Sequence, residues 1–166
     1  MSVDSFWKRV PAGVVAGRSP EELSDLVPYW FDGKFKVERG NRAIVGAEDT
    51  GALIDALLMA GARSDSEKAA ARAFARAPSD WDDDYLVGTL ATGIVQQVSS
   101  FLSDAPLEHW VAEHHSTLAA AARSMGYRRP FDDAWARKLL ADVQELAALF
   151  HAAARDGEAI VVKVVA

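Results

Sequence analysis

Apolar positions recur at two different periods along the chain, and each change of period marks an element. Phe6-Trp7-Lys8-Arg9-Val10 is short, aromatic and branched, and Pro11 closes it, which predicts an early strand. Ser19-Pro20-Glu21-Glu22 supplies a capping hydroxyl, a proline tolerated in a first turn and a glutamate at the third helical position. Leu23, Leu26, Val27 and Trp30 follow at helical spacing and predict one buried face. From Lys34 to Val45 the turn residues Arg39-Gly40-Asn41-Arg42 separate Phe35-Lys36-Val37 from Ala43-Ile44-Val45, the pattern of a small hairpin.

Leu53, Ile54, Leu57 and Leu58 predict a short helix that Gly61 ends. Ser64-Asp65-Ser66-Glu67 opens an Ala/Arg helix whose single large apolar residue is Phe74, with Pro78 as its stop. Between Tyr85 and Ser103 no charged residue occurs, and Val87, Leu90, Ile94, Val98 and Phe101 form a stripe that predicts one covered helix. Asp104-Ala105-Pro106 starts another, with Leu107, Trp110, Val111, Leu118 and Met125 inward and Gly126 after it. Pro130-Phe131-Asp132-Asp133 caps a last helix that aligns Trp135, Leu139, Val143, Leu146 and Phe150. Gly157 stops that helix, and Ala159 to Val165 reads as a strand.

The sum is an α+β fold in a single domain spanning residues 1–166. A small, mostly antiparallel sheet contains the C-terminal strand and the N-terminal one, and five or six helices cover it. Half of the 166 residues are apolar, enough for a core without metals or disulfides. The absence of cysteine fits a reducing cytoplasm, and Met1 to Lys8 holds no apolar run of signal-peptide length, so export is not expected. A formal charge of −6 disfavours phosphate backbones, so nucleic acid is not expected as a partner. The Tyr85–Ser103 stretch is long enough for a membrane span but too rich in Gly, Thr, Gln and Ser, and no membrane is expected.

Three features invite chemistry. The uncharged stretch reads either as a covered central helix or as a partner surface, since interface cores are depleted of charge; a homodimer would use Thr89, Thr92, Gln96 and Gln97. Asp80-Trp81-Asp82-Asp83-Asp84-Tyr85 lacks the glycine and terminal glutamate of an EF-hand. It reads as a solvated loop capping the next helix, or as a recognition loop for a basic partner with Trp81 and Tyr85 as anchors and Asp82, Asp83 and Asp84 as the charge. Glu108-His109-Trp110-Val111-Ala112-Glu113-His114-His115 suggests metal, but on one helix only His109 and Glu113 share a face while His114 falls on the apolar side. Zinc needs three or four ligands, so neither metal nor cofactor is expected, with His109 and Glu113 the fallback pair and His114 a core histidine. Lys68, Arg72 and Arg76 form a basic ridge read as solvated or paired with Asp82 to Asp84. No nucleophile elbow, phosphate loop or His-Glu-x-x-His occurs.

Leu139 to Val162, with its aromatic Phe150, the Ala152-Ala153-Ala154 run, Gly157 and the strand Ala159-Ile160-Val161-Val162, resembles the end of the YfbM-like family of uncharacterised bacterial proteins, known as domain of unknown function 1877. Phe6 to Pro11 is similar to that family's opening strand. Residues 86–166 match in layout; the middle departs, because the family has a Trp-His segment before its Leu-Leu-x-Gly and Leu53 to Gly61 lacks both the Trp and the His. The resemblance implies a bacterial protein and carries no activity. The residues favour a non-enzymatic cytoplasmic protein-binding module. The alternatives are a small-molecule or metal-dependent enzyme with a pocket near His109, Glu113 and His114, and a structural homo-oligomer.

Overall fold

The computed structural model describes residues 3–75 and 80–166. Four strands, β1 (Asp4–Pro11), β2 (Ile44–Glu48), β3 (Val87–Leu90) and β4 (Glu158–Val165), form one sheet in the order β2-β1-β4-β3. Every pairing is antiparallel, and the two ends of the chain meet at its centre, where Asp4 opposes Val165 and Pro11 opposes Glu158. The fold is therefore α+β with the C-terminal strand in an antiparallel sheet, as the patterning predicts. Among the described residues there are nine helical segments rather than five or six. They are α1 (Ala12–Val15), α2 (Pro20–Leu26), α3 (Gly33–Gly40), α4 (Gly51–Gly61), α5 (Asp65–Ala75), α6 (Thr92–Asp104), α7 (Leu107–Glu113), α8 (His115–Ser124) and α9 (Asp133–Asp156).

Because successive strand side chains point to opposite faces, the sheet builds two cores. Phe6, Val10, Ile44, Val87 and Val161 face a thin layer made by α2 and α3, where Phe35, Tyr29 and Trp30 ring Phe6 with centroids 4.9–5.9 Å away. Trp7, Val45, Leu90, Ile160 and Val162 face the thick layer of α4 to α9. Trp30 lies across Gly46, where a β-carbon would collide with the indole. Two sheet lysines finish α2: Lys8 Nζ donates to Leu26 O (2.8 Å) and Lys163 Nζ to Ser24 O (3.0 Å), which satisfies carbonyls that a helix end leaves unpaired. Burial draws the Lys163 ammonium below its ordinary pKa.

Local signals held where the partner is close in sequence. Ser19 and Glu22 form the reciprocal capping box, Asp32 caps α3 through Lys34 N, Asp132 caps α9 through Trp135 N, and Gly157 closes α9 with φ 67°. Three expectations are corrected. The residues Phe35-Lys36-Val37 are helical in α3, so the predicted hairpin is a helix followed by β2; the Asp32 cap outweighs the alternating pattern. The uncharged stretch is not one helix: Val87–Leu90 pairs with β4 as a strand, and helix starts only at Thr92. The predicted helix through Met125 breaks at His114 into α7 and α8, and Met125 is 40% exposed. The predicted stop at Pro78 and the ridge residue Arg76 lie outside the described residues.

Candidate functional site

On the thick side of the sheet a cleft of about 470 Å³ opens over β1 and β4, walled by α4, α5 and the segment leading into β3. Its sides are Trp7, Phe74 and Trp81, with Ser5 and Val162 on the sheet and Asp55 on α4. Gly51 explains how α4 comes so close, since a β-carbon there would collide with Ser5 Oγ. Asp55 lies one turn after Gly51 and is thereby carried to the same cleft. Trp7 stacks on Phe74 at 5.6 Å between centroids, with rings 16° apart.

Two polar groups in this apolar lining have no partner among the described residues. Trp7 is 3% exposed and its Nε1–H has no hydrogen-bond acceptor among the described residues. Asp55 makes no hydrogen bond or ion pair there either, and burial alone pushes its carboxyl from an ordinary 3.8 up to about 7. The carboxyl is thus close to half ionised at neutral pH. A buried polar group without a partner costs about 1–3 kcal/mol, and both of these residues line the same cleft. Among the described residues lining the cleft, none besides Asp55 is ionisable.

A second polar cluster gathers around Asp4 at the start of β1 and Asp49 just after β2. Tyr29 Oη and Trp30 Nε1 donate to Asp4 Oδ2 (3.1 and 2.9 Å), and Tyr127 Oη donates to Asp49 Oδ1 (3.2 Å). Burial, with the Asp49 charge beside it, pushes the Tyr127 phenol up to about 12. Thr50 donates to Asp142, which Lys138 pairs at 2.8 Å.

The predicted site residues are dispersed. Trp81 is half-buried and enters the Asp55 cleft, while Tyr85 is 43% exposed outside it. The acidic loop does not cap a helix, which corrects one of its readings. Asp82 Oδ1 instead accepts from the backbone N–H of Asp84 and Tyr85, and Asp80 accepts from Thr89, so the loop folds on itself before β3. Asp83 and Asp84 are exposed. Lys68 and Arg72 form no ion pair with Asp82 to Asp84 among the described residues. Thr92 begins α6, and Gln96 is exposed on it.

His109 Nε2 lies 3.4 Å from Glu113 Oε2 and His114 Nε2 3.7 Å from the same oxygen, so the shared face of His109 and Glu113 is real. His114 is half-buried at the α7–α8 break, not a core residue. His109 edges a shallow depression with Leu107, Ala112 and Gln144, whereas Glu113 and His114 do not line it. Among the described residues no group of three or more His, Asp or Glu side chains could hold a metal ion. Nor is any helix of the described residues long and apolar enough to cross a membrane.

The patterning does not single out Asp55, although it carries a signal. It is the single ionisable residue between Gly51 and Ala62, in the middle of an otherwise apolar helix.

No model of a protein family and no curated protein matches the chain. Among solved structures, the chain is similar to the crystal structure of YfbM from Escherichia coli, a protein of unknown function. The TM-score is 0.57 and the identity 11%, over 98% of this chain and 99% of that one. At that identity the likeness establishes a YfbM-like fold.

Proposed function

We propose that the chain is a non-enzymatic binding module that takes a basic side chain of a partner protein into the Asp55 cleft. The observation that carries this reading is an unpaired, half-buried carboxyl facing a cleft walled by Trp7, Phe74 and Trp81. An arginine or lysine head would give the carboxylate its missing counter-charge and lie against aromatic faces, where a cation gains about 0.5–2 kcal/mol. It would also explain why Trp81 is turned inward from an otherwise self-bonded acidic loop. Catalysis is less well supported by this cleft, because general acid–base chemistry on a bound substrate draws on paired groups and Asp55 is the one ionisable side chain among the described lining residues. In the same reading the chain is a divergent YfbM-like protein of the bacterial cytoplasm, supported by the shared fold, the resembling C-terminal third and a sequence without cysteine.

The test is titration of the protein with Nα-acetyl-arginine amide and Nα-acetyl-lysine amide, followed by tryptophan fluorescence. Saturable quenching is expected at pH 8, at least fivefold weaker at pH 5.5 where Asp55 is protonated, and at least tenfold weaker in Asp55→Asn and Trp81→Ala with cooperative melting retained. Absence of saturation in the unaltered protein, or equal affinity in both variants, would overturn the reading.

A further inference from the structure

A larger cleft of about 660 Å³ lies at the open edge of the sheet, on the far side of β1 from β4. Its lining is largely apolar: Phe35, Ile44, Val45 and Leu149 lie beneath it at no more than 3% exposure each, while the half-buried Trp30 and the exposed Ala148 present apolar surface to it. Trp30 closes one end. Its rim is cationic in a protein whose formal charge is −6, with Lys36 and Arg39 on α3 and Arg42 just before β2. Only one rim carboxylate faces them, Glu145 of α9, and Arg39 takes both its oxygens in a two-pronged bridge of 3.2 and 3.1 Å. Lys36 and Arg42 form no ion pair among the described residues. Three cations against one carboxylate leave two positive charges over an apolar trough.

We propose that this cleft binds an amphipathic anion, a small molecule with an apolar chain or ring bearing a carboxylate, seated with its apolar part against Trp30 and Ala148 and its charge between Lys36 and Arg42. Apolar clefts of 300–1,000 Å³ with a few convergent polar groups are the usual form of small-molecule sites. An extended peptide adding to the sheet edge fits less well. Only two residues of β2 line the cleft, about 7 Å of strand, and farther along that edge Lys138 Nζ already donates to Glu48 O. The Arg39–Glu145 bridge links α3 to α9 across the two walls of the trough.

The probe is decanoate below its micelle concentration, with decyltrimethylammonium and 1-decanol as charge controls, measured by calorimetry and by the tryptophan indole N–H resonances. One-to-one binding of decanoate is expected, with a shift of the Trp30 signal and none of the Trp81 signal. The cationic control should bind at least tenfold more weakly. Lys36→Glu with Arg42→Glu should weaken decanoate at least tenfold and leave 1-decanol within twofold; both side chains are exposed, so folding is retained, and Lys36→Glu alone should weaken decanoate by about half the logarithm of that loss. Ala148→Trp, which fills the exposed wall of α9, should abolish binding of all three. The proposal is overturned if decanoate shows no saturable binding, if the Trp81 signal moves in place of Trp30, if the cation binds as tightly, or if the charge-reversed variants bind unchanged. Because the two clefts share no lining residue, these outcomes are independent of the Asp55 reading.

Discussion

The two clefts place their charges in opposite ways. In the Asp55 cleft the single charge lies inside an aromatic box, desolvated and without a partner, over the two central strands. In the edge cleft the charges stand at the rim in water, one of them bridged, above a floor with no polar side chain. The first site therefore stores a desolvation cost that a ligand can relieve, whereas the second is nearly free of strain and offers area and steering. Specificity in the first should come from one ion contact, and in the second from apolar burial.

The comparison breaks most completely if the shared support is removed. Trimming Ile160 to Ala166 deletes most of β4, which pairs with strands on both sides and supplies Ile160, Val161 and Val162 to the two cores. No cooperative melt should remain by circular dichroism; a truncated chain that still unfolds cooperatively would refute the central role given to β4.

Phe74→Ala removes the ring between Trp7 and Phe150 and should cost about 3–5 kcal/mol in denaturant unfolding, with the edge cleft still able to bind decanoate. Loss of both ligands at full folding would mean that the clefts are coupled.

Asp55→Asn sharpens the contrast through pH. The folded carboxyl titrates near 7 and the unfolded one near 3.8, so between those values the folded chain holds a proton that the unfolded chain has lost. Stability contributed by this group thus falls as pH rises from about 4 to 7, and the deficit is complete above 7. The asparagine variant should be equal to the parent at pH 4 and more stable by about 2 kcal/mol at pH 8, a value already reduced for the partial exposure of the site. A gain that is the same at both pH values would come from packing instead of charge. Lys36→Glu with Arg42→Glu should by contrast change stability by less than about 0.5 kcal/mol at either pH, because exposed charges contribute little.

The sequence made legible what is decided within one or two turns of chain. The Ser19–Glu22 box, the Asp132 cap and the Gly157 stop all involve neighbours, and each element they bound was correctly typed. Val87–Leu90 was not, because it is a strand on account of β4, some seventy residues on, and its own apolar spacing fits a helix equally well. Phe35-Lys36-Val37 differs in the other direction, with alternation suggesting a strand and a cap three residues before Phe35 winning. The Asp55 cleft draws Trp7, Asp55, Phe74 and Trp81 from four separate elements or segments. A lone aspartate in an apolar helix was visible, but its aromatic company arises only on folding.

The most direct test of the Asp55 site is a carbon-13 titration of the Asp55 carboxyl, with and without saturating Nα-acetyl-arginine amide. A midpoint near 7 in the free protein that falls toward the ordinary carboxylate range in the complex is predicted; a midpoint near 4 in the free protein would contradict the account.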